Sequence, residues 1–313
     1  MQKNKSDFPE SVSLEGIYVY DDIDNFLTAY HLLKPDSDTI AVLKKNYFDK
    51  ATIGLTEFVQ KFDLTPEKLT KSIQKHPMYY QSLVNIKERL VNQEANNNAM
   101  YSKLQDLYSI DSLPKIYYMI GGIRAGGNGG DGYYTLVGAE IFAKKDNTDM
   151  SEFSKGARLF DINTIPNIVG HESIHVIQES IHGTEKYISM YMNPEEGTIL
   201  AFSIREGFAD FAAHLISGKL INQKTYAYGN AHEEELWNLY KTQMHSTDLG
   251  DWFFINPKDH PEWPKDLGYW MGYKIAEAYY SNADDKKKAF ASMMNETDPV
   301  KFLKDSKYEE KFK

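Results

Sequence analysis

A helix spanning 165–182 would be apolar on almost every side but for one stripe, and no other stretch of the chain constrains the fold as strongly. At 100° per residue, Gly170, Ile174, Ile177 and Ile181 make one apolar ridge and Val169 with Val176 another. His171, His175, Gln178 and His182 fall together between them. Such a helix has to be buried, and a buried polar stripe is costly unless something pairs it. Asn163 or Thr164 can cap its start, Pro166 suits its first turn and His182-Gly183 supplies an end.

Within the stripe, His171-Glu172-Ser173-Ile174-His175 is an H-E-x-x-H run. One turn separates the imidazoles, so both can reach one Zn²⁺ at about 2.0–2.1 Å. Glu172 projects beside them, close enough to take a proton from a water on the metal's open position. Backbone carbonyls satisfy most single buried histidines, and that is the plain alternative. A di-iron carboxylate bundle needs two E-x-x-H pairs on facing helices, whereas Glu172-x-x-His175 and Glu179-x-x-His182 share one.

A catalytic zinc takes a third protein ligand and keeps a fourth position open. Glu206, in Arg205-Glu206-Gly207-Phe208-Ala209-Asp210, is the best candidate. Asn193-Pro194-Glu195-Glu196 reads as a helix start and Gly218 as its stop, which puts Glu206 in mid-helix. Ser203, Glu206, Gly207, Asp210 and Ala213 form a small and acidic stripe suited to close approach of a second helix. Asp210, one turn beyond Glu206, is spaced to accept a hydrogen bond from the outer nitrogen of a ligating histidine.

H-E-x-x-H followed on a later helix by E-x-x-x-D resembles the zinc metallopeptidases of the thermolysin-like (gluzincin) clan. The resemblance implies one Zn²⁺ on His171, His175 and Glu206, with Glu172 as general base and Asp210 orienting a histidine. It also implies a mostly helical α+β fold, zincin-like and two-lobed, with a small β-sheet ahead of the H-E-x-x-H helix. The insert between the two motifs is longer than in thermolysin, and its Tyr187, Met190 and Tyr191 are expected to wall the cleft.

The 313 residues, 42% of them hydrophobic, can bury a large core, read as a helical N-terminal region (1–112) and a catalytic region (113–313) in one compact unit. A net charge of −10 without a long basic run argues against nucleic acid or an anionic membrane as the main partner, and the peptidase resemblance implies a peptide or protein substrate. Without cysteine there is no disulfide, thiolate zinc site or cysteine nucleophile. No apolar run reaches transmembrane length. Residues 1–6 are polar and would suit the spacer behind a lipid anchor removed with its leader. An exported protein, periplasmic or a cell-surface lipoprotein, is therefore expected over a cytoplasmic one.

Helix starts at Asp22-Ile23-Asp24, Asp36-Ser37-Asp38 and Thr65-Pro66-Glu67 make 21–110 helical. Residues 115–120 and 133–143 then read as strands joined by a mobile glycine loop, with no G-K-[ST] to make it a phosphate loop. In the thermolysin-like clan a sheet-edge strand ahead of the zinc helix pairs with extended substrate. Tyr134, Leu136 and Gly138 are accordingly expected to hold substrate while the glycine loop moves to admit it. Further on, an aromatic segment (248–266) leads into a helix carrying Tyr269 and Tyr273. These two and His260 are the candidates for stabilising an oxyanion.

A wider set of motifs comprises Asn46-Tyr47-Phe48-x-x-Ala51-Thr52-x-Gly54-Leu55, Gly268-Tyr269-Trp270-x-Gly272-Tyr273 and Phe302-Leu303-x-x-Ser306-x-Tyr308. With the glycine-rich strand pair and the zinc motif, they resemble bacterial predicted zinc-dependent proteases related to the gliding-motility lipoproteins. The resemblances imply a zinc metallopeptidase. The alternatives are a non-catalytic binding or structural protein of surface-lipoprotein type on the same scaffold, and a zinc hydrolase of a non-peptide amide. Glu172, which catalysis needs and metal binding does not, weighs against the first.

Overall fold

The computed structural model describes residues 14–154, 157–192, 197–253 and 259–313. The fold is α+β and mostly helical, with one mixed sheet of four short strands: β1 (Tyr18–Val19), β2 (Lys115–Met119), β3 (Gly127–Gly129) and β4 (Tyr134–Gly138). Their order is β1-β2-β4-β3; β2 runs parallel to both β1 and β4, and β3 is antiparallel to β4. β2 and β4 are aromatic and β-branched, and Ile116, Tyr118, Leu136 and Val137 are fully buried beneath the helices that flank the sheet.

This topology corrects the expected substrate strand. β4 is interior, paired with β2 from Tyr134 to Gly138 and with β3 from Thr135 to Val137. Its backbone is therefore committed on both sides, Leu136 is buried, and the Tyr134 hydroxyl donates to Glu57. Tyr134, Leu136 and Gly138 do not form a free edge. The glycine stretch, read as a mobile connection, folds back on β4 and becomes the edge strand itself.

Helices begin where their caps dictate. Asp38 accepts from the Ala41 N–H and Thr65 from the Lys68 N–H, as the sequence indicates. The H-E-x-x-H helix is Ile165–His182, with Pro166 in its first turn and Gly183 at φ +81 beyond its end. Thr164 precedes it without a side-chain cap, while Asp161 caps the turn just before. The Glu206 helix is Ile199–Ser217, capped by Thr198 and closed by Gly218 in the left-handed conformation. Its start is thus later than expected, and residues 193–196 lie outside those described.

One hydrophobic core extends from Ile17 to Tyr308, so the described residues on both sides of position 112 share it. β1 extends the sheet, and Tyr101 on helix Glu94–Leu107 hydrogen-bonds Ser173 inside the H-E-x-x-H helix at 3.0 Å. Helix Ile199–Ser217 lies between Ile165–His182 and Leu267–Asn282. Against the latter it packs backbone to backbone: a Cβ on Gly272 would stand 1.6 Å from the Ser203 carbonyl oxygen, and one on Gly207 2.2 Å from the Gly272 carbonyl carbon. Among the described residues, no helix is long and apolar enough to cross a membrane.

Candidate metal centre

The two central helices bring His171, His175 and Glu206 together, all buried. The Nε2 atoms of His171 and His175 are 3.0 Å apart, with their rings nearly perpendicular, and Glu206 Oε2 lies 3.4 Å from each. Behind His171, Nδ1 donates to Asp210 Oδ1 at 2.8 Å, and Asp210 Oδ2 accepts from the Tyr226 hydroxyl at 2.8 Å. Behind His175, Nδ1 meets the Tyr187 hydroxyl at 2.8 Å, and that oxygen also accepts from Arg205 Nε at 3.2 Å. Farther along the stripe, His182 Nε2 bonds the Met294 carbonyl, the ordinary way to satisfy such a residue.

These residues fit a zinc ion. Donors at about 2.0–2.1 Å from a tetrahedral ion stand about 3.3–3.4 Å from one another, close to the separations here. Asp210 accepts from His171 Nδ1, so that nitrogen carries hydrogen, and once a metal displaces the Nε2 proton the ring would present its Nε2 lone pair to the centre. Two Nε2 atoms 3.0 Å apart can both face a single cation set off the line that joins them, toward Glu206. Burial opposes charging His171, but Asp210 and Glu206 more than offset it and hold its proton well above the usual range. Burial pushes His175 down to about 4, against the attraction of Glu206. Burial also disfavours the Glu206 carboxylate, yet the two imidazoles hold it well below its ordinary range.

Glu172 projects from the same turn into a cleft of about 810 Å³ that His171 and Asp210 also line. Burial raises its carboxyl to about 7, with His171 opposing and Glu206 adding to the shift. Edge strand β3 passes directly over it. A Cβ on Gly127 would sit 2.7 Å from Ile168 and 2.8 Å from Glu172 Oε1, so only glycine fits there. Tyr269 lines the cleft, its ring stacked 6.3 Å from that of His171.

The other two oxyanion candidates sit elsewhere. The Tyr273 hydroxyl bonds His214 Nδ1 at 2.7 Å and its ring packs on Phe211 and Tyr226, while His260 lies flat on Trp263 at 4.0 Å. Tyr187 is a buried partner of His175 rather than a cleft wall, and the side chains of Met190 and Tyr191 are outside the described residues. Sequence reasoning missed Tyr226, Arg205 and Gly127. The first is one of 22 tyrosines, and only Arg205, adjacent to Glu206, carried any positional signal.

Among known families, residues 221–310 match the model described as Gliding motility protein GldB, a lipoprotein family. No curated protein and no solved structure matches the chain. The matched segment starts after the Glu206 helix. It holds Tyr226, Tyr269 and Tyr273 but none of His171, Glu172, His175, Glu206 and Asp210.

Proposed function

We propose that the chain is a zinc-dependent peptidase, zincin-like and of gluzincin type, that hydrolyses a peptide bond in the cleft above His171 and Glu172. One observation carries this reading: two imidazole nitrogens and a carboxylate oxygen converge at 3.0–3.4 Å, beside a carboxyl that faces the cleft. Structural zinc sites are closed by four protein ligands, whereas three ligands next to an open cleft leave a place for substrate. Zinc held there would polarise a scissile carbonyl and lower the pKa of a water. Glu172, whose carboxyl titrates near neutrality, takes a proton from the attacking water and passes it to the leaving amine. Asp210 and Tyr187 hold the two rings in orientation from behind. Tyr269, the oxyanion candidate that lines the cleft, donates to the carbonyl oxygen as charge builds on it.

The test is metal content by plasma mass spectrometry on protein purified without chelator, alongside digestion of a mixed peptide library. About one zinc per chain, lost in Glu206→Ala, and cleavage abolished by chelator and restored by zinc are expected. Folded protein that takes up no zinc on reconstitution rejects the reading.

A second reading has its own support. The match of residues 221–310 to the gliding-motility lipoprotein family favours a non-catalytic binding or structural protein of the cell envelope over a peptidase. Zinc uptake without turnover of any peptide or other amide would favour that role. Chelator-sensitive turnover confined to non-peptide amides would instead make the chain an amide hydrolase.

A further inference from the structure

The chain carries 45 acidic residues against 35 basic, yet its cleft has the opposite balance. Among the described residues, five basic side chains line it, Lys71, Lys75, Arg124, Arg158 and Lys265, and all five are exposed. Three acidic residues among those described line it, and each is already engaged. Asp210 accepts from His171 and Tyr226, Asp266 pairs with Arg158 at 2.7 Å, and Glu172 is buried beside the proposed ligands.

The cations form two groups. Lys71 and Lys75 stand one turn apart on helix Pro66–Lys75. Arg124 joins them from the turn after β2, its Nη1 anchored on the Phe62 carbonyl at 2.9 Å, and the Ser72 hydroxyl ties the helix to that turn through the Gly122 carbonyl. In the second group, Arg158 bonds both Asp266 and Asn222, next to Lys265. Acidic neighbours beyond the cleft offset the first group only in part: Asp63 pairs with Lys68 and also feels Arg124, and Glu67 feels Lys71 from one turn away, which leaves four cations (Lys68, Lys71, Lys75 and Arg124) against two carboxylates. A cleft with low-dielectric walls focuses such a potential on whatever enters it.

We infer that the cleft takes an acidic peptide segment, with Asp or Glu side chains on residues flanking the bond to be cut. Several separated ammonium groups on flexible stems suit carboxylates spaced along a chain, whereas a single phosphate calls for converging donors. Between the charges, Phe153 stacked on His76 at 4.3 Å, together with Ile123 and Phe142, gives apolar surface for the intervening side chains. This inference rests on the peptidase reading for the cutting step and on the cleft's charge alone for binding.

The experiment uses the full chain and three fluorescent peptides of equal length, alternating Ala with Glu, Ser or Lys. Binding is read by anisotropy at low and high salt, and turnover by mass spectrometry with zinc present. The Glu peptide should bind about tenfold more tightly than the Ser peptide and lose that advantage at high salt. Lys71→Glu with Lys75→Glu, and separately Lys265→Glu, should each weaken the Glu peptide severalfold without weakening the Lys peptide. Equal binding of the Glu and Ser peptides, tighter binding of the Lys peptide, or charge-reversed variants that bind as before would overturn the inference. So would a heparin fragment that outcompetes the Glu peptide at equal charge, which would point to a different polyanion. Tight Glu-peptide binding without cleavage leaves the charge inference standing and rejects the peptidase reading. Equal cleavage of Glu and Ser peptides does the reverse.

Discussion

Helix Ile199–Ser217 has two faces that solve opposite problems. Toward Ile165–His182 it presents Glu206 and Asp210, whose oxygens stand at hydrogen-bonding or ligand separations from His171 and His175 around a small central space. Toward Leu267–Asn282 it presents Ser203 and Gly207, packed so closely on Gly272 that no methyl group fits. The polar face is expensive, because buried carboxylates and imidazoles are stable only when each finds its partner. The glycine face supplies what that demands, a rigid seat that leaves the Glu206 carboxylate little freedom to shift. Precision on one side is set by close packing on the other.

The comparison can be broken at either face. Glu172→Gln changes the chemistry and leaves the packing alone. It should keep zinc, by mass spectrometry, and lower kcat for peptide hydrolysis at least about a thousandfold; a near wild-type rate would reject Glu172 as the base. Gly272→Ala attacks the seat. Overpacking against the Ser203 carbonyl should cost about 3 kcal/mol or more, seen as a fall in Tm of about 5 °C, and should weaken zinc binding although residue 272 touches no proposed ligand. A stable variant with unchanged zinc affinity would show that the two faces are independent.

Glu140 supplies a reference, since it is a buried carboxylate without imidazole partners. Its Oε1 accepts from the Gly121 and Ile123 N–H groups at 2.8 Å each, Oε2 is buried without a hydrogen-bond partner, and burial raises the carboxyl to about 7. A carboxyl whose pKa is higher folded than unfolded stabilises the fold fully below the unfolded value and loses that contribution as pH rises through the folded one. Stability should therefore fall by about 3 kcal/mol between roughly pH 4.5 and 7, and Glu140→Gln should flatten the profile in urea titrations. An unchanged slope would assign the pH dependence elsewhere. The smallest effect is expected from Asp210→Asn, which keeps the shape but loses the charge behind His171. Zinc affinity should drop about 10–100-fold by competitive chelation, with Tyr226→Phe falling short of that. Equal effects would mean that the hydroxyl, not the carboxylate, orients the ring.

What was legible in the sequence followed from the helical period. His171 with His175, and Glu206 with Asp210, meet because 3.6 residues per turn fixes each pair on one face, and the small residues near Glu206 marked close approach to a neighbouring helix. The period says nothing about which tyrosine of 22 lands behind which ring, so Tyr226 carried no signal and Tyr187 read as a cleft wall rather than as the partner of His175. The strand error has a different cause. Gly127-Asn128-Gly129 has no side-chain pattern to mark a strand, and Gly127 is there because Glu172 and Ile168 occupy the space a Cβ would need. Parallel pairing of β2 with β4 likewise depends on tertiary contacts rather than on either strand's composition.

β1 and the Tyr101–Ser173 bond join the first third of the chain to the centre of the site. The border near residue 112 therefore exists along the chain but not through the molecule. A fragment beginning there would bare the edge of β2 and strip the buried back of the H-E-x-x-H helix, inviting strand-to-strand aggregation. Anyone seeking to graft this centre onto another scaffold, or to express it alone, would have to bring residues 17–107 along as its foundation.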